Sequence, residues 1–212
     1  MLSRMFDVEG FILVGGQSSR MGRDKSQLVF GAETGVKRIA AALGALTSRV
    51  RLVGARSQDK SGLQNIPDTL EHWGALGGIH AALAECEAEW AAIVACDLPF
   101  VTAELFTRLG RFTLRQENPF EAIVPIQPDE RPQPLCALYR RASCSAVVSQ
   151  LISENEHKPR ALLAKVRTRW VNFSEISDLA GAQEFFLNVN TPEDYKFARG
   201  IHNQKSGNAS KR

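Results

Sequence analysis

Gly10-Phe-Ile-Leu-Val-Gly15-Gly16-Gln-Ser-Ser-Arg20-Met-Gly-Arg-Asp-Lys25 is the stretch on which the reading turns. Its apolar run is short, continuous and bounded by glycines, as expected of a strand buried on both faces. A loop rich in Gly, Ser and Arg follows to about Gln27, with Arg20, Arg23 and Lys25 within six positions. Glycine lets backbone N–H groups approach an anion, and Arg and Lys neutralise phosphate charge. In an open parallel sheet, ligands bind in the loop after the first strand's carboxyl end. Composition alone also fits a solvated loop with scattered charge. Two named phosphate loops fail on spacing. A Walker A loop needs Lys directly after its second Gly, but Arg23 and Asp24 separate Gly22 from Lys25. A dinucleotide fingerprint needs G-x-G-x-x-G, and after Gly15 and Gly16 the next glycine is Gly22.

Outward from this loop, strand and helix patterns alternate. Thr34–Leu46 reads as a helix with Val36, Ile39, Ala40 and Leu43 on one face, and Val50–Ala55 as a second strand. Leu63–Pro67 is strand-like, Gly77–Ala88 helical, and Trp90–Cys96 a strand ending at Asp97. Pro99 stops continuation, and Thr102 is placed to N-cap a helix over Ala103–Leu114. Ala122–Ile126, Leu135–Tyr139 and Arg169–Phe173 are strand-like; Ala142–Ser153 and Pro159–Val166 are helical. Phe185–Val189 is a further apolar run, and Thr191-Pro192-Glu193-Asp194 is a helix start with acids in the first turn. This rhythm predicts one α/β domain: a doubly wound, mostly parallel, Rossmann-like sheet with helices on both faces.

Composition sets the bounds. The 212 residues are 44% hydrophobic and 23% charged, near the globular average, so wholesale disorder and fibrous repeats are excluded. No apolar run approaches the roughly 18–20 residues of a membrane span. Four basic residues and no acid lie in 199–212 (Arg199, Lys205, Lys211, Arg212); removing them from the net +3 leaves −1 for residues 1–198. The basicity is a tail property, giving no footing for nucleic-acid binding. That polar tail is expected to be disordered. Cys86, Cys96, Cys136 and Cys144 are too dispersed for a disulfide framework, and no signal peptide is visible, so a cytoplasmic location is expected.

Asp97 is the second candidate. A carboxylate at the tip of an apolar strand lies on the ligand edge of the sheet, where burial is costly without a cation. Mg²⁺ held by one or two carboxylates and completed by substrate phosphates would neutralise it. Taken alone, Asp97 also reads as opening a turn before Pro99. Asp68 has the same ambiguity. Gly74-Ala-Leu-Gly-Gly78 is either a tight turn or a source of N–H groups for a nucleotide. His72, His80, His157 and His202 lack metal-ligand spacing, and no G-x-S-x-G elbow is present. Arg131-Pro-Gln-Pro134 and Asn188-Val-Asn190 are ordinary turn chemistry in isolation.

In combination these segments resemble the nucleotidyltransferases that attach a nucleotide to the molybdenum cofactor. Leu13–Lys25 follows the family's opening pattern L-[AV]-G-G-x-x-x-R-M-G-x-D-K. The landmarks Pro67-Asp68, Gly74–Gly78, Cys96-Asp97-Leu-Pro99, Arg131–Pro134 leading to Ala137-Leu-Tyr139, and Asn188-Val-Asn190-Thr-Pro-Glu193 follow in order, covering about residues 10–198. Gly15-Gly16 is similar to the guanylyltransferase branch rather than the cytidylyltransferase branch, which tends to have Ala-Gly. Ala75 stands where the family has Pro, and Val53-Gly-Ala-Arg56 lacks the Asn often found there.

The resemblance implies a nucleotidyltransferase domain over 1–198, its N-terminal half binding nucleotide and its C-terminal half the acceptor. It implies GMP transfer from GTP to molybdenum-molybdopterin with release of pyrophosphate, and Mg²⁺ as cofactor. Arg20, Lys25 and Asp97 would be catalytic, with Asp97 the metal ligand. Leu13, Val14, Gly15, Gly16, Lys25, Asp68 and Asp97 would bind nucleotide; Arg131, Arg160, Asn188 and Asn190 would bind the acceptor. Proteins of molybdenum insertion and molybdoenzyme maturation are the implied partners, with the chain a monomer or weak homo-oligomer and no nucleic acid or membrane involved. Cytidylyl transfer, sugar-phosphate nucleotidyl transfer and a nucleotide-binding regulatory domain without activity are the alternatives.

Overall fold

The computed structural model describes residues 7–14, 25–54, 61–68, 70, 72–114 and 120–209. Its frame is a seven-stranded sheet in the order β5-β4-β1-β6-β8-β7-β9. The strands are β1 (Val8–Leu13), β4 (Val50–Val53), β5 (Gln64–Ile66), β6 (Trp90–Ala95), β7 (Ala122–Pro125), β8 (Cys136–Arg140) and β9 (Thr168–Val171). Neighbours are parallel except β8, which runs antiparallel to both β6 and β7. A small hairpin, β2 (Val29–Phe30) with β3 (Glu33–Thr34), lies outside the sheet. The predicted single-domain, mostly parallel α/β architecture is observed.

Alternation along the central strands shows why the sheet needs helices on both faces. In β1, Val8 and Ile12 enter one core, while Phe11 and Leu13 enter the other. In β8, Cys136 and Leu138 face one side, with Ala137 and Tyr139 on the opposite side. The first core is closed by α1 (Gly35–Leu43) and α3 (Ala103–Gly110), the second by α2 (Gly74–Glu85), α4 (Arg141–Ser153) and α5 (Pro159–Lys165). A strand buried on both faces cannot carry polar side chains without partners. Glu9 is the exception. Its side chain is 3% exposed and is held by Arg49 (2.9 Å), Arg51 (3.0 Å) and the Glu87 N–H (2.8 Å).

Helix starts follow their caps. Thr34 accepts the Lys37 N–H at the start of α1, and Thr102 accepts the Leu105 N–H at the start of α3. The helix expected over Gly77–Ala88 instead begins three residues earlier, at Gly74, where φ is +57°. Glycine tolerates that conformation, so the Gly74–Gly78 segment forms the first turns of α2 rather than a turn before it. Phe185–Val189 forms no strand: it follows a 3₁₀ turn (Ala182–Glu184), and Phe185 and Val189 fill the core from irregular backbone. Cys86, Cys136 and Cys144 are free and buried, and Cys96 is half-buried. Burial pushes the Cys86 and Cys144 thiols up to about 12.

Of the tail expected to be disordered over residues 199–212, residues 199–209 are helical instead, as part of α6 over Pro192–Ala209, and residues 210–212 lie outside the described residues. Its inner side joins a third core of Leu28, Phe30, Phe100, Val189 and Ala198, against which Tyr195 and Ile201 pack. His202 Nδ1 lies 3.4 Å from Arg38 Nη1, and Arg38 in turn donates to the Pro99 carbonyl (3.2 Å). Composition misses this because the helix's few apolar residues are spaced among charges, yet they meet a partner surface made by the hairpin. Among the described residues, no helix is long and apolar enough to cross a membrane.

Candidate functional site

Parallel strands β1, β4, β5 and β6 end on one edge of the sheet, and the chain leaves β1, β5 and β6 into segments singled out above. Leu13 ends β1, Asp68 follows β5, and Asp97 follows β6. Lys25 lies in the 3₁₀ turn Lys25–Gln27 that leads to the hairpin. The segment before α6 is attached to the same edge, because the Val189 N–H donates to the Asp97 carbonyl (2.9 Å).

Two side chains from opposite ends of the chain meet there. Lys25 Nζ donates to Asn190 Oδ1 at 2.6 Å. Asn190 is held in turn, its backbone N–H donating to Asp194 Oδ2 (3.0 Å). Asp97 is different in kind. Its Oδ1 is buried and has no hydrogen-bond partner among the described residues. Burial raises its carboxyl above the usual aspartate value, and the Lys25 charge and the Asp97 backbone N–H oppose that shift. A carboxylate so placed has an unshared lone pair available to a cation and a burial cost that a cation would remove. Hard divalent cations take carboxylate oxygen and complete their shell with water and phosphate oxygens. Asp97 therefore fits one Mg²⁺ shared with a phosphate-bearing substrate. Among the described residues, no group of three or more His, Cys, Asp or Glu could by itself hold a metal ion, so phosphate and water would supply most of the ligands.

Leu13 lies against α2. A Cβ at Gly78 would meet Leu13 Cδ1 at 3.2 Å, and one at Gly77 would meet Trp73 Cβ at 2.8 Å. Small residues at these positions let the helix approach the strand end closely. Asp68 Oδ1 accepts the Leu70 N–H (3.1 Å) and lies 3.5 Å from the ideal Cβ position of Gly77. Trp73, at the α2 N-cap, makes no capping hydrogen bond with its side chain. Its ring stacks on His157 (4.1 Å, 16°), a pair that composition does not suggest.

The remaining predicted positions divide. Asn188 is exposed, two residues before Asn190, its amide donating to the Phe186 carbonyl (3.4 Å). Arg131 and Arg160 are exposed and are not brought into the Lys25–Asn190 cluster. Arg131 pairs with Asp129, its Nε donating across 2.7 Å on the β7–β8 connection, and Arg160 is the second residue of α5. Gly15, Gly16 and Arg20 lie outside the described residues. Sequence reasoning misses Asp194, which reads only as a helix-start acid; the available signal is the Thr-x-x-Asp spacing from Thr191.

The fold is shared with solved structures. The molybdopterin-guanine dinucleotide biosynthesis protein A of Archaeoglobus fulgidus superposes with a TM-score of 0.76 at 22% identity, over 92% of this chain and 99% of that one. The 2-C-methyl-D-erythritol 4-phosphate cytidylyltransferase of Thermus thermophilus superposes with a TM-score of 0.64 at 17% identity, over 93% and 99%. At those identities the likeness is one of fold. The family model for the MobA-like NTP transferase domain matches residues 10–170. The chain belongs to the MobA-like NTP transferase family. Members similar in sequence include a probable molybdenum cofactor guanylyltransferase of Pelotomaculum thermopropionicum, 32% identical over 96% of this chain and 98% of the relative. One of the same description from Carboxydothermus hydrogenoformans is 31% identical over 87% and 91%. Membership makes the chain a nucleotidyltransferase.

Proposed function

We propose that this NTP transferase uses GTP and molybdenum-molybdopterin, forming the guanine dinucleotide cofactor and pyrophosphate. The observation that carries the reading is the Lys25 charge acting on Asp97, whose buried Oδ1 has no hydrogen-bond partner among the described residues, at the carboxyl edge of β6. The near full-length relatives described as probable guanylyltransferases favour GTP as donor. The terminal phosphate of the pterin attacks the α-phosphorus in line, and pyrophosphate leaves. Such a reaction asks the protein for position and charge neutralisation rather than covalent chemistry. Lys25, with Arg20, neutralises charge on the phosphates. Leu13, Val14, Gly15, Gly16 and Asp68 line the nucleoside side. Asp97 would hold Mg²⁺, which would supply charge neutralisation at the substrate phosphates. Asn188 and Asn190 serve the acceptor side, with Arg131 and Arg160 as its anion contacts. Residues 1–198 serve as one catalytic unit with a nucleotide half and an acceptor half, acting in the cytoplasm.

Incubating the chain with GTP, Mg²⁺ and molybdenum-loaded pterin tests this, with the dinucleotide read by mass. Thermal shifts with GTP, CTP and UTP discriminate the donors, because a ligand that binds the folded state raises its melting point. The largest shift is expected with GTP. A larger shift with CTP would overturn the guanylyl assignment, and nucleotide binding without pyrophosphate release would point to a regulatory domain.

A further inference from the structure

We propose that Asp194 is a positioning residue of the transfer site, setting the place of Lys25 through Asn190; this rests on Lys25 being the phosphate-neutralising cation. Asp194 and Thr191 make a reciprocal helix cap. The Asp194 N–H donates to Thr191 Oγ1 (3.1 Å), and the Thr191 N–H donates to Asp194 Oδ2 (2.9 Å). A cap needs no more than that pair. The same Oδ2 also accepts the Asn190 N–H (3.0 Å), from a residue before the cap. That third bond fixes the backbone from which the Asn190 amide reaches Lys25 Nζ at 2.6 Å.

The residue before Asn190 is anchored as well. The Val189 N–H donates to the carbonyl of Asp97 itself, and the Val189 side chain is buried in the third core. With Val189 tied to Asp97 and Asn190 tied to Asp194, the backbone that carries the Asn190 amide is held on both sides. Asp194 also acts through charge. The Asn190 N–H and the Thr191 contacts hold its carboxyl below the usual aspartate value, and the Lys25 charge lowers it further. It is thus an anion within electrostatic reach of that ammonium. A lysine side chain has many rotamers to lose when it is held in one place. Fixing it before charge develops leaves less to lose in the transition state.

The test uses the full chain with GTP, Mg²⁺ and molybdenum-loaded pterin, reading kcat, KM for GTP and the melting temperature. Asp194→Ala and Asn190→Ala should each lower kcat about 10- to 100-fold with KM changed less than about threefold, the pattern of an interaction made chiefly in the transition state. The double variant should be no worse than about threefold below the poorer single one, since both break one chain of contacts. Asp194→Asn, which keeps an acceptor oxygen, should restore kcat to within about tenfold of wild type. Asn190→Ala leaves the cap intact and keeps the test valid should Asp194→Ala fold poorly. Thr102→Ala, a cap loss at another helix, should lower the melting temperature with kcat unchanged. Wild-type kcat in Asn190→Ala, or losses that multiply in the double variant, overturns the proposal while Lys25→Ala remains inactive. Full activity in Lys25→Ala instead overturns the reading on which the proposal rests.

Discussion

The backbone N–H of Val189 donates to the carbonyl oxygen of Asp97 across 2.9 Å, joining the end of β6 to the segment that begins α6. This bond makes the C-terminal part of the chain a structural neighbour of the Asp97 carboxylate. That carboxylate, the helix attached to it and two sites that support the sheet each have a measurable consequence.

Asp97→Asn should abolish transfer and stabilise the fold. Burial raises the folded carboxyl above its ordinary value of 3.8. The folded state then binds a proton more tightly than the unfolded chain, so ionising Asp97 costs stability. The cost begins as pH rises through the ordinary value and is complete above the folded one. At pH 7 the Asn variant should therefore melt higher than wild type, and the gap should close toward pH 3. Mg²⁺ with GTP should raise the wild-type melting temperature and leave the variant's nearly unmoved. The rate should fall at least 100-fold, about 2.7 kcal/mol of barrier.

Deleting residues 200–212 should lower the melting temperature. The cut removes Ile201 from the third core and His202 from Arg38. A loss of about 1–3 kcal/mol is expected, at roughly 2–4 °C per kcal/mol for a chain of this size. A truncated chain that melts with wild type would mean that the end of α6 is not part of the folded body.

Gly77→Ala should destabilise although it adds a good helix former. The new Cβ would lie 2.8 Å from Trp73 Cβ, and the Trp73 ring is held by its stack on His157. Overpacking of this kind costs about 1–3 kcal/mol, against a gain of up to about 1 kcal/mol in helix propensity. Denaturant titration should show the net loss. His157→Ala in the same background should recover part of it, by freeing Trp73 to move.

Glu9→Gln should cost about 2–4 kcal/mol of stability with kcat unchanged. It leaves Arg49 and Arg51 without the buried carboxylate that both contact, and breaking such a cluster from one side is more costly than replacing it whole. Glu9 is near the start of β1, at the sheet edge opposite Asp97. A fall in kcat as large as that of Asp97→Asn would contradict this separation.

Much of the fold is legible in local patterns. The glycine-bounded run Gly10–Gly15 and the apolar Trp90–Cys96 announce central strands because a strand covered on both faces has no room for polar side chains. Thr34, Thr102 and Thr191 announce helix starts because a cap is a contact across three residues. The apolar run Phe185–Val189 leaves conformation open because apolar content reports burial rather than backbone shape, and Phe185, Phe186 and Val189 are buried without strand pairing. The start of α2 is hard to place because Gly74, with φ at +57°, reads as a turn from either side.

By itself, the sequence determined the order of most strands and helices and the positions of the Lys25, Asp68 and Asp97 motifs along the chain. Only the tertiary structure decided that Lys25 meets Asn190, 165 residues away, that Asp97 Oδ1 is sealed from partners among the described residues, and that the stretch after Arg199 continues a helix packed on the hairpin. Periodicity and capping act over one or two turns, so a linear reading contains them. Burial, charge coupling and long-range hydrogen bonds exist only once the sheet has brought its strand ends to one edge.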